Sequence, residues 1–375
     1  MDPHSQLLSS LASRVQEMVE ASASLIEAES PSSDPAATAR CAEVADDIGS
    51  GLLGRRAESI VVNGRTHLRW CFGAKPHVLL IGHLDTVWPL GTLSRSPFVV
   101  DDDKAIGPGS FDMKCGVVQL FFALSALDDL EGVAVLLTTD EEIGSPSSRE
   151  LIRETADGAG AALVLEPSAG GALKTARKGV SAYLMEVRGR AAHAGLEPEK
   201  GINATLELAH QVLAIEALSR PGVGTTVTPT VIEAGSSSNS VPAEGRLFVD
   251  ARVPTVQEER RVDEAMLGLR PAVDGASLKV ERTASSPPLP ESASAELFVL
   301  AQKVGAELGL GTLEGVSVGG GSDGNITADM GVPTLDGLGA VGDGAHAEGE
   351  HVIISKMPER AALVAGLIQE ILLAR

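Results

Sequence analysis

Residues 133–145 read VAVLLTTDEEIGS, an apolar run closing on two threonines and followed by three consecutive carboxylates, Asp140, Glu141 and Glu142. A continuous apolar run, rather than an alternating one, predicts a strand buried on both faces, as in the middle of a parallel sheet. HVLLIG (77–82) and AALVLE (161–166) have the same character. Helical spacing lies between these runs. MKCGVVQLFFALSALDDL, from Met113 to Leu130, predicts a helix, and SRELIRETA, from Ser148, predicts a shorter one. Alternation of this kind predicts an α/β sheet covered by helices on both faces.

The pattern changes after about Leu173. GVSAYLMEVRG alternates as a half-exposed strand does, INATLELAHQVLAIEAL predicts a helix, and TTVTPTVIEAG and GRLFVDARV predict two strands. VQEERRVDEAMLGL (helix) and ASLKVERT (strand) complete the order β-α-β-β-α-β, the signature of a split-βαβ domain. The Pro- and Ser-rich SSPPLPESASA (285–295) reads as the linker back, followed by helices over AELFVLAQKVGAELGL and PERAALVAGLIQEILLA. The expected domains are therefore 1–175 with 286–375, and an inserted 176–285. Residues 1–76 yield only an amphipathic first helix.

A chain of 375 residues that is 43% hydrophobic exceeds the size at which single cores divide. A formal charge of -21 repels nucleic acid and anionic membranes, so a small ligand or a cation is the expected partner. Cys41, Cys71 and Cys115 show no CxxC spacing, which argues against a disulfide framework or a cysteine-based zinc site. The N-terminus lacks a basic start followed by an apolar core, and no segment approaches eighteen unbroken apolar residues. A soluble cytoplasmic protein is the expectation.

Ligands of open α/β sheets collect outside the carboxyl ends of the strands. There the chain has His83 and Asp85, then Asp140–Glu142, then Glu166, with Asp112 ahead of a helix. Adjacent like charges repel by roughly 4 kcal/mol near a protein surface, so water or a cation must offset them. Each residue has an ordinary explanation: a solvated loop, a hydrogen-bonded loop histidine, an N-cap at Asp112, a turn at Glu166. Those explanations are independent, whereas a metal site needs all these residues together. A mixed His and carboxylate set suits zinc, manganese or cobalt.

GHLDTV, GPGSFDMKCG, TTDEEIGS, LEPS, RKGVSAYLMEVRGRAAHAG, GGGSDGN and GAHAEGE together resemble the zinc-dependent carboxypeptidase G, acetylornithine deacetylase and succinyl-diaminopimelate desuccinylase family, with carboxypeptidase G (glutamate carboxypeptidase) nearest in pattern. The resemblance runs from about residue 77 to the C-terminus. It implies a mostly parallel-sheet dinuclear-zinc catalytic domain with an inserted ferredoxin-like (βαββαβ) lid and dimerisation domain. Asp112 would bridge two Zn2+ ions (Co2+ or Mn2+ as substitutes), His83 and Glu166 completing one and Glu142 and His346 the other. Asp85 would hold the His83 imidazole in its metal-binding tautomer. Glu141, beside Glu142 on an extended segment and facing another way, would be the general base, and Asp140 would shape the loop.

The same resemblance gives His193 the role of stabilising the oxyanion in a partner subunit's site, which implies a homodimer. Arg252 and Asn239 would hold the substrate's carboxylate. GVSVGGGSDGN lacks the Lys-Ser/Thr ending of a P-loop, and Gly319, Gly320 and Gly321 would let backbone approach the substrate. Lys174 falls where glutamate-specific relatives carry a lysine, whereas Ser317 stands where they carry an arginine. Ala347 replaces a hydroxyl residue common in the family, without expected effect on catalysis. The expected activity is release of a C-terminal amino acid from N-acyl or peptidyl substrates, with glutamate a candidate. An N-acyl amino acid deacylase (aminoacylase or acetylornithine deacetylase-like) is the alternative, and a non-catalytic metal-dependent binding protein a third.

Overall fold

Val78–His83, Val133–Thr138 and Ala161–Val164 are strands buried along their whole length. Their side chains alternate between two clusters. Val78, Leu80, Val135 and Leu137 pack with Val117 and Phe121 of the helix Cys115–Ser125 and with Leu363 and Leu367 of the helix Met357–Leu373. Leu79, Ile81 and Leu136 pack on the other face with Leu151, Ile152 and Ile326. Helices cover both faces, so the runs are apolar at every position. Truncating one such side chain, as in Leu80→Ala, removes roughly 2–5 kcal/mol.

The computed structural model describes residues 3–374. The sheet order is Glu58–Val62, Arg65–Phe72, Val133–Thr138, Val78–His83, Ala161–Val164, Thr334–Leu335. The first two junctions are antiparallel and the other three parallel, so the sheet is mixed but mostly parallel. Among the described residues no helix is long and apolar enough to cross a membrane.

The chain divides into two compact units. One comprises the chain up to Ala176, Pro290–Val318 and the chain from Ser322; the other comprises Arg177–Leu289 with Gly319–Gly321. In the second, four antiparallel strands lie in the order Thr226–Ala234, Glu244–Val253, Gly179–Arg188, Ser277–Ser286. Helices Ala204–Glu216 and Val256–Leu267 supply Leu208, Ile215, Val262 and Met266 to a core with Tyr183, Met185, Leu247 and Val249. Both begin at side-chain caps: Asn203 accepts from the backbone N–H of Thr205 and Leu206, and Thr255 from that of Glu258.

Three sequence expectations need correction. The helix expected over Met113–Leu130 is shorter, Cys115–Ser125, because Asp112 (φ -115°, ψ 96°) and Met113 (φ -131°, ψ 31°) leave helical geometry within a distorted turn, Ser110–Lys114. The linker of 285–295 shrinks to 287–290, since the preceding strand runs through Ser286 and the next helix starts at Glu291. Residues 1–76 hold much more than one helix: Pro3–Ala12, Val15–Glu27, Pro35–Leu53 and two edge strands of the main sheet.

Candidate metal centre

Three neighbouring parallel strands end on one rim, and their register sets the spacing of the segments that leave it. His83 is the last residue of the central strand and pairs with Thr138; Ile81 pairs with Val164. Parallel strands lie about 4.8 Å apart, so the segments carrying His83, Glu141–Glu142 and Glu166 leave the sheet side by side. Asp112 comes from the distorted turn before the helix Cys115–Ser125. His346 comes from the loop closing the hairpin of Gly342–Asp343 and His351–Ile353, with a left-handed backbone (φ 60°).

The side chains converge. His83 Nε2 lies 3.1 Å from Asp112 Oδ1, 3.5 Å from Glu166 Oε1 and 4.0 Å from Glu141 Oε2. His346 Nε2 lies 3.1 Å from Glu142 Oε1 and 3.4 Å from Asp112 Oδ2. Asp112 thus turns one carboxylate oxygen to each histidine. Donor atoms of His83, Asp112 and Glu142 lie within 4.8 Å of one another, as do those of His83, Glu141 and Glu166. Lys174 Nζ is 3.8 Å from Glu166 Oε2, at the edge of this group.

Two expected contacts differ in form. Asp85 meets His83 through its backbone: His83 Nδ1 is 2.9 Å from Asp85 O, and the carboxylate is 3.6 Å away. The backbone carbonyl fixes the tautomer, with the proton on Nδ1 and Nε2 left to bind. The Asp85 carboxylate accepts instead from the backbone N–H of Glu141 and Glu142 (3.2 Å each) and from Ser32 Oγ (2.7 Å). Those amides are free to donate because Glu141–Ile143 is a short 3-10 turn, not the extended segment expected. In a tight turn, successive side chains diverge without strand alternation.

Asp140 does shape the loop. Fully buried, it accepts from Ser147 N and Oγ (2.6 Å each) and Ser148 Oγ (2.6 Å), tying the turn to the helix Arg149–Ala156. Sequence reasoning passed over two further carboxylates. Asp323, quoted within GGGSDGN only for its glycines, is buried and accepts from Thr138 Oγ1 (2.9 Å) and from Ser145 Oγ. Glu350 accepts from the backbone N–H of Gly109 (2.8 Å), Phe111 (2.9 Å) and Asp112 (2.9 Å) and from Trp88 Nε1 (2.7 Å). It sits four residues after His346 in GAHAEGE, and that spacing was the available signal.

The electrostatics follow from crowding. Burial, and then the charge of Glu166, raise the Glu141 carboxyl well above its usual range. Burial also raises Glu142, against the pull of His346, and lifts Asp323 to about 6. Burial opposes charging of His83, yet Asp112 and Glu166 carry it well above 6.5. Asp112 and Glu142 lift His346 to about 10, while the two imidazoles hold Asp112 below the usual carboxylate range despite its burial. Protons are being drawn in where positive charge is required. A divalent cation would supply that charge, and a set of imidazole and carboxylate donors fits a borderline-to-hard ion.

The remaining predicted residues lie in the second unit. His193 is exposed; its Nδ1 accepts from the backbone N–H of Gly195 (3.2 Å) and Leu196 (3.1 Å), which leaves the proton of the neutral ring on Nε2. Arg252 is already engaged: Nε and Nη2 meet Asp250 Oδ1 and Oδ2 at 2.9 and 3.0 Å. Asn239 Oδ1 accepts from Ser237 Oγ (2.6 Å), and Gly320 O accepts from Arg177 Nη1 (3.1 Å).

Residues 79–370 match the model of peptidase family M20/M25/M40. Carboxypeptidase G2 of a Pseudomonas species is 33% identical over 310 residues, covering 79% of this chain and 74% of that protein. Succinyl-diaminopimelate desuccinylase of Wolinella succinogenes is 27% identical over 315 residues, covering 79% and 85%. Among solved structures, a tripeptidase from Staphylococcus aureus superposes with a TM-score of 0.77 at 21% identity, covering 95% of this chain and 98% of that one. An M20 family metallo-carboxypeptidase from Sulfolobus solfataricus gives 0.70 at 15% identity, covering 98% and 99%.

Proposed function

The chain belongs to peptidase family M20/M25/M40, and from that premise we propose that it is a dinuclear amidohydrolase releasing a C-terminal amino acid from N-acyl or peptidyl substrates. Zinc is the first choice of ion, with cobalt or manganese as substitutes. The observation that carries the proposal is Asp112 between two imidazoles, one oxygen toward each. Asp112 would be shared, with His83 and Glu166 available to one ion and Glu142 and His346 to the other. Divalent ions held there would polarise the scissile carbonyl and lower the pKa of water.

The chain's own groups do the rest. Glu141, a carboxylate whose proton affinity is held up by burial and by Glu166, takes a proton from the attacking water and returns it to the leaving amine. Asp85 fixes the turn that carries it. His193 of a second copy donates Nε2–H to the developing oxyanion. Arg252, whose Nε and Nη2 meet Asp250 and whose Nη1 reaches Gly319 O at 3.4 Å, turns its Nη1 to the substrate's carboxylate, whereas Asn239 precedes the opposite end of the strand Glu244–Val253 and would reach that carboxylate only from a second copy.

Dimerisation through the second unit has its own support. The edge strand Thr226–Ala234 exposes Val231 (49%) and Ile232 (53%), and the helix Ala204–Glu216 exposes Leu206 (50%) and Leu213 (72%). An unpaired strand edge bordered by apolar side chains fits a second copy of itself.

Carboxypeptidase G-like action is the first choice because of the relative at 33% identity. Lys174, tied to Glu166 at 3.8 Å, and Ser317, neutral where an arginine would be needed, favour a second reading as an N-acyl amino acid deacylase without glutamate preference. N-acyl glutamates, N-acyl aliphatic amino acids and acetylornithine as substrates separate the two. Glu141→Gln tests the chemistry: turnover falls by about 100-fold or more while metal content is retained. Near-normal turnover in that variant would end the proposal, and metal-loaded wild type inert toward every acyl amino acid would mark a non-catalytic binding protein.

A further inference from the structure

The strand Arg65–Phe72 runs antiparallel to Val133–Thr138. Its side chains alternate: Leu68 and Trp70 enter the large core, whereas Arg65 and His67 share the opposite face. The paired register stops at Leu68 and Leu137, so just beyond the strand end the backbone of Thr139 needs other partners. Two side chains of the neighbouring strand supply them. Thr139 N–H donates to His67 Nδ1 (3.3 Å), and Thr139 O accepts from Arg65 Nη1 (3.3 Å). Because Nδ1 accepts, the neutral ring carries its proton on Nε2, and Nε2 lies 3.0 Å from Ser147 Oγ. Ser147 Oγ donates in turn to Asp140 Oδ2 at 2.6 Å. The result is a directional chain, His67 to Ser147 to Asp140, with every member buried.

Asp140 immediately precedes Glu141 and Glu142. Their turn is therefore gripped from two sides: Asp85 accepts from their backbone N–H groups, and the chain from His67 fixes the residue ahead of them. Burial, the largest influence, holds the His67 imidazole below its ordinary 6.5; Arg65 adds to this, while Asp140 and Asp85 oppose it. A charged ring would turn Nδ1–H against the Thr139 N–H and lose that bond. We propose that His67 is a positioning residue for the Glu141–Glu142 turn, acting through Ser147 and Asp140 with its proton on Nε2. This rests on the hydrolase reading above, in which Glu141 carries the proton and Glu142 is offered to an ion. A histidine that merely filled the core would stabilise the fold without setting the turn.

Turnover separates the two roles. His67→Leu lowers kcat about tenfold, the low end of what partners behind a metal ligand contribute, with KM unchanged. His67→Gln, whose amide can donate in place of Nε2–H, restores most of kcat although the Thr139 contact is lost. Ser147→Ala cuts the chain at its middle and lowers kcat by a similar factor, and the double variant loses no more than either single one, since both break the same chain. Unchanged turnover in His67→Leu, no rescue by glutamine, or additive losses overturn the proposal. Two readouts need no turnover. Nitrogen NMR of the His67 ring in wild type, assigned by the signals missing from His67→Gln, shows Nε2 protonated and Nδ1 bare at neutral pH; the opposite tautomer or a charged ring sinks the proposal. Titration of metal-free protein with Co2+ finds affinity lowered about tenfold in Ser147→Ala, because Glu142 rides on the same turn. Wild type that shows this tautomer and a variant that shows this loss, without hydrolysis of any acyl amino acid, keep the positioning role and end the hydrolase reading. Hydrolysis that, like the affinity, ignores Ser147→Ala keeps the hydrolase and ends the role of His67.

Discussion

His83 and His346 offer the same imidazole to the same carboxylate, by opposite means. His83 ends a strand buried along its whole length, is 1% exposed, and has its Nδ1 fixed by Asp85 O. His346 stands on a hairpin loop with a left-handed backbone, its side chain 48% exposed, and meets Glu142 and Asp112 among the described residues. At one end the core itself holds the imidazole in place. At the other, the charges to be neutralised hold it. Position in the fold, rather than residue type, sets how much of a site's order is built in.

The largest expected effect comes from what the two ends share. Asp112→Ala removes metal from both, and activity falls beyond the roughly 10–100-fold typical of outer partners; metal analysis that still finds one full equivalent would show that the ends are independent. Next come the histidines separately, measured by urea unfolding of metal-free protein. His83→Ala takes the buried imidazole from Asp112 and Glu166, which keep the more distant His346 and Lys174, at 3.4 and 3.8 Å, as cationic neighbours, and costs about 3 kcal/mol, whereas His346→Ala, half in water, costs about 1 kcal/mol or less. Equal losses would erase the contrast.

The smallest effect is a pH dependence. Both imidazoles have folded values raised above the ordinary 6.5. Each therefore contributes stability to metal-free protein that is complete below 6.5 and is lost as pH rises through the folded value, about 10 for His346. An ion must displace those protons, so apparent metal affinity climbs with pH over the same window. Competition titrations across the neutral range check this, and His346→Ala flattens the slope by about one proton.

Much of this was legible in the chain. VAVLLTTDEEIGS announced a doubly covered strand with its chemistry at the carboxyl end, since a strand buried on both faces must be apolar throughout. The β-α-β-β-α-β order was equally plain, as GVSAYLMEVRG and GRLFVDARV alternate between a helix-covered face and an open one. Residues 1–76 were opaque because their helices take stability from packing on helices and one strand distant in sequence, which no local pattern records. Asp85 was placed beside His83 from its spacing, but spacing could not show that its backbone serves the imidazole while its carboxylate serves the Glu141 turn.

The sequence by itself determined the layers, the strand that bears His83 and the donors available at the rim, because burial dictates composition residue by residue. Only the tertiary structure decided which oxygen of Asp112 meets which histidine, that Glu350 steadies Asp112 and Trp88 together, and that Asp250 occupies Arg252. Those are contacts between distant segments or between two groups on one strand face, and their geometry exists only once the chain has folded.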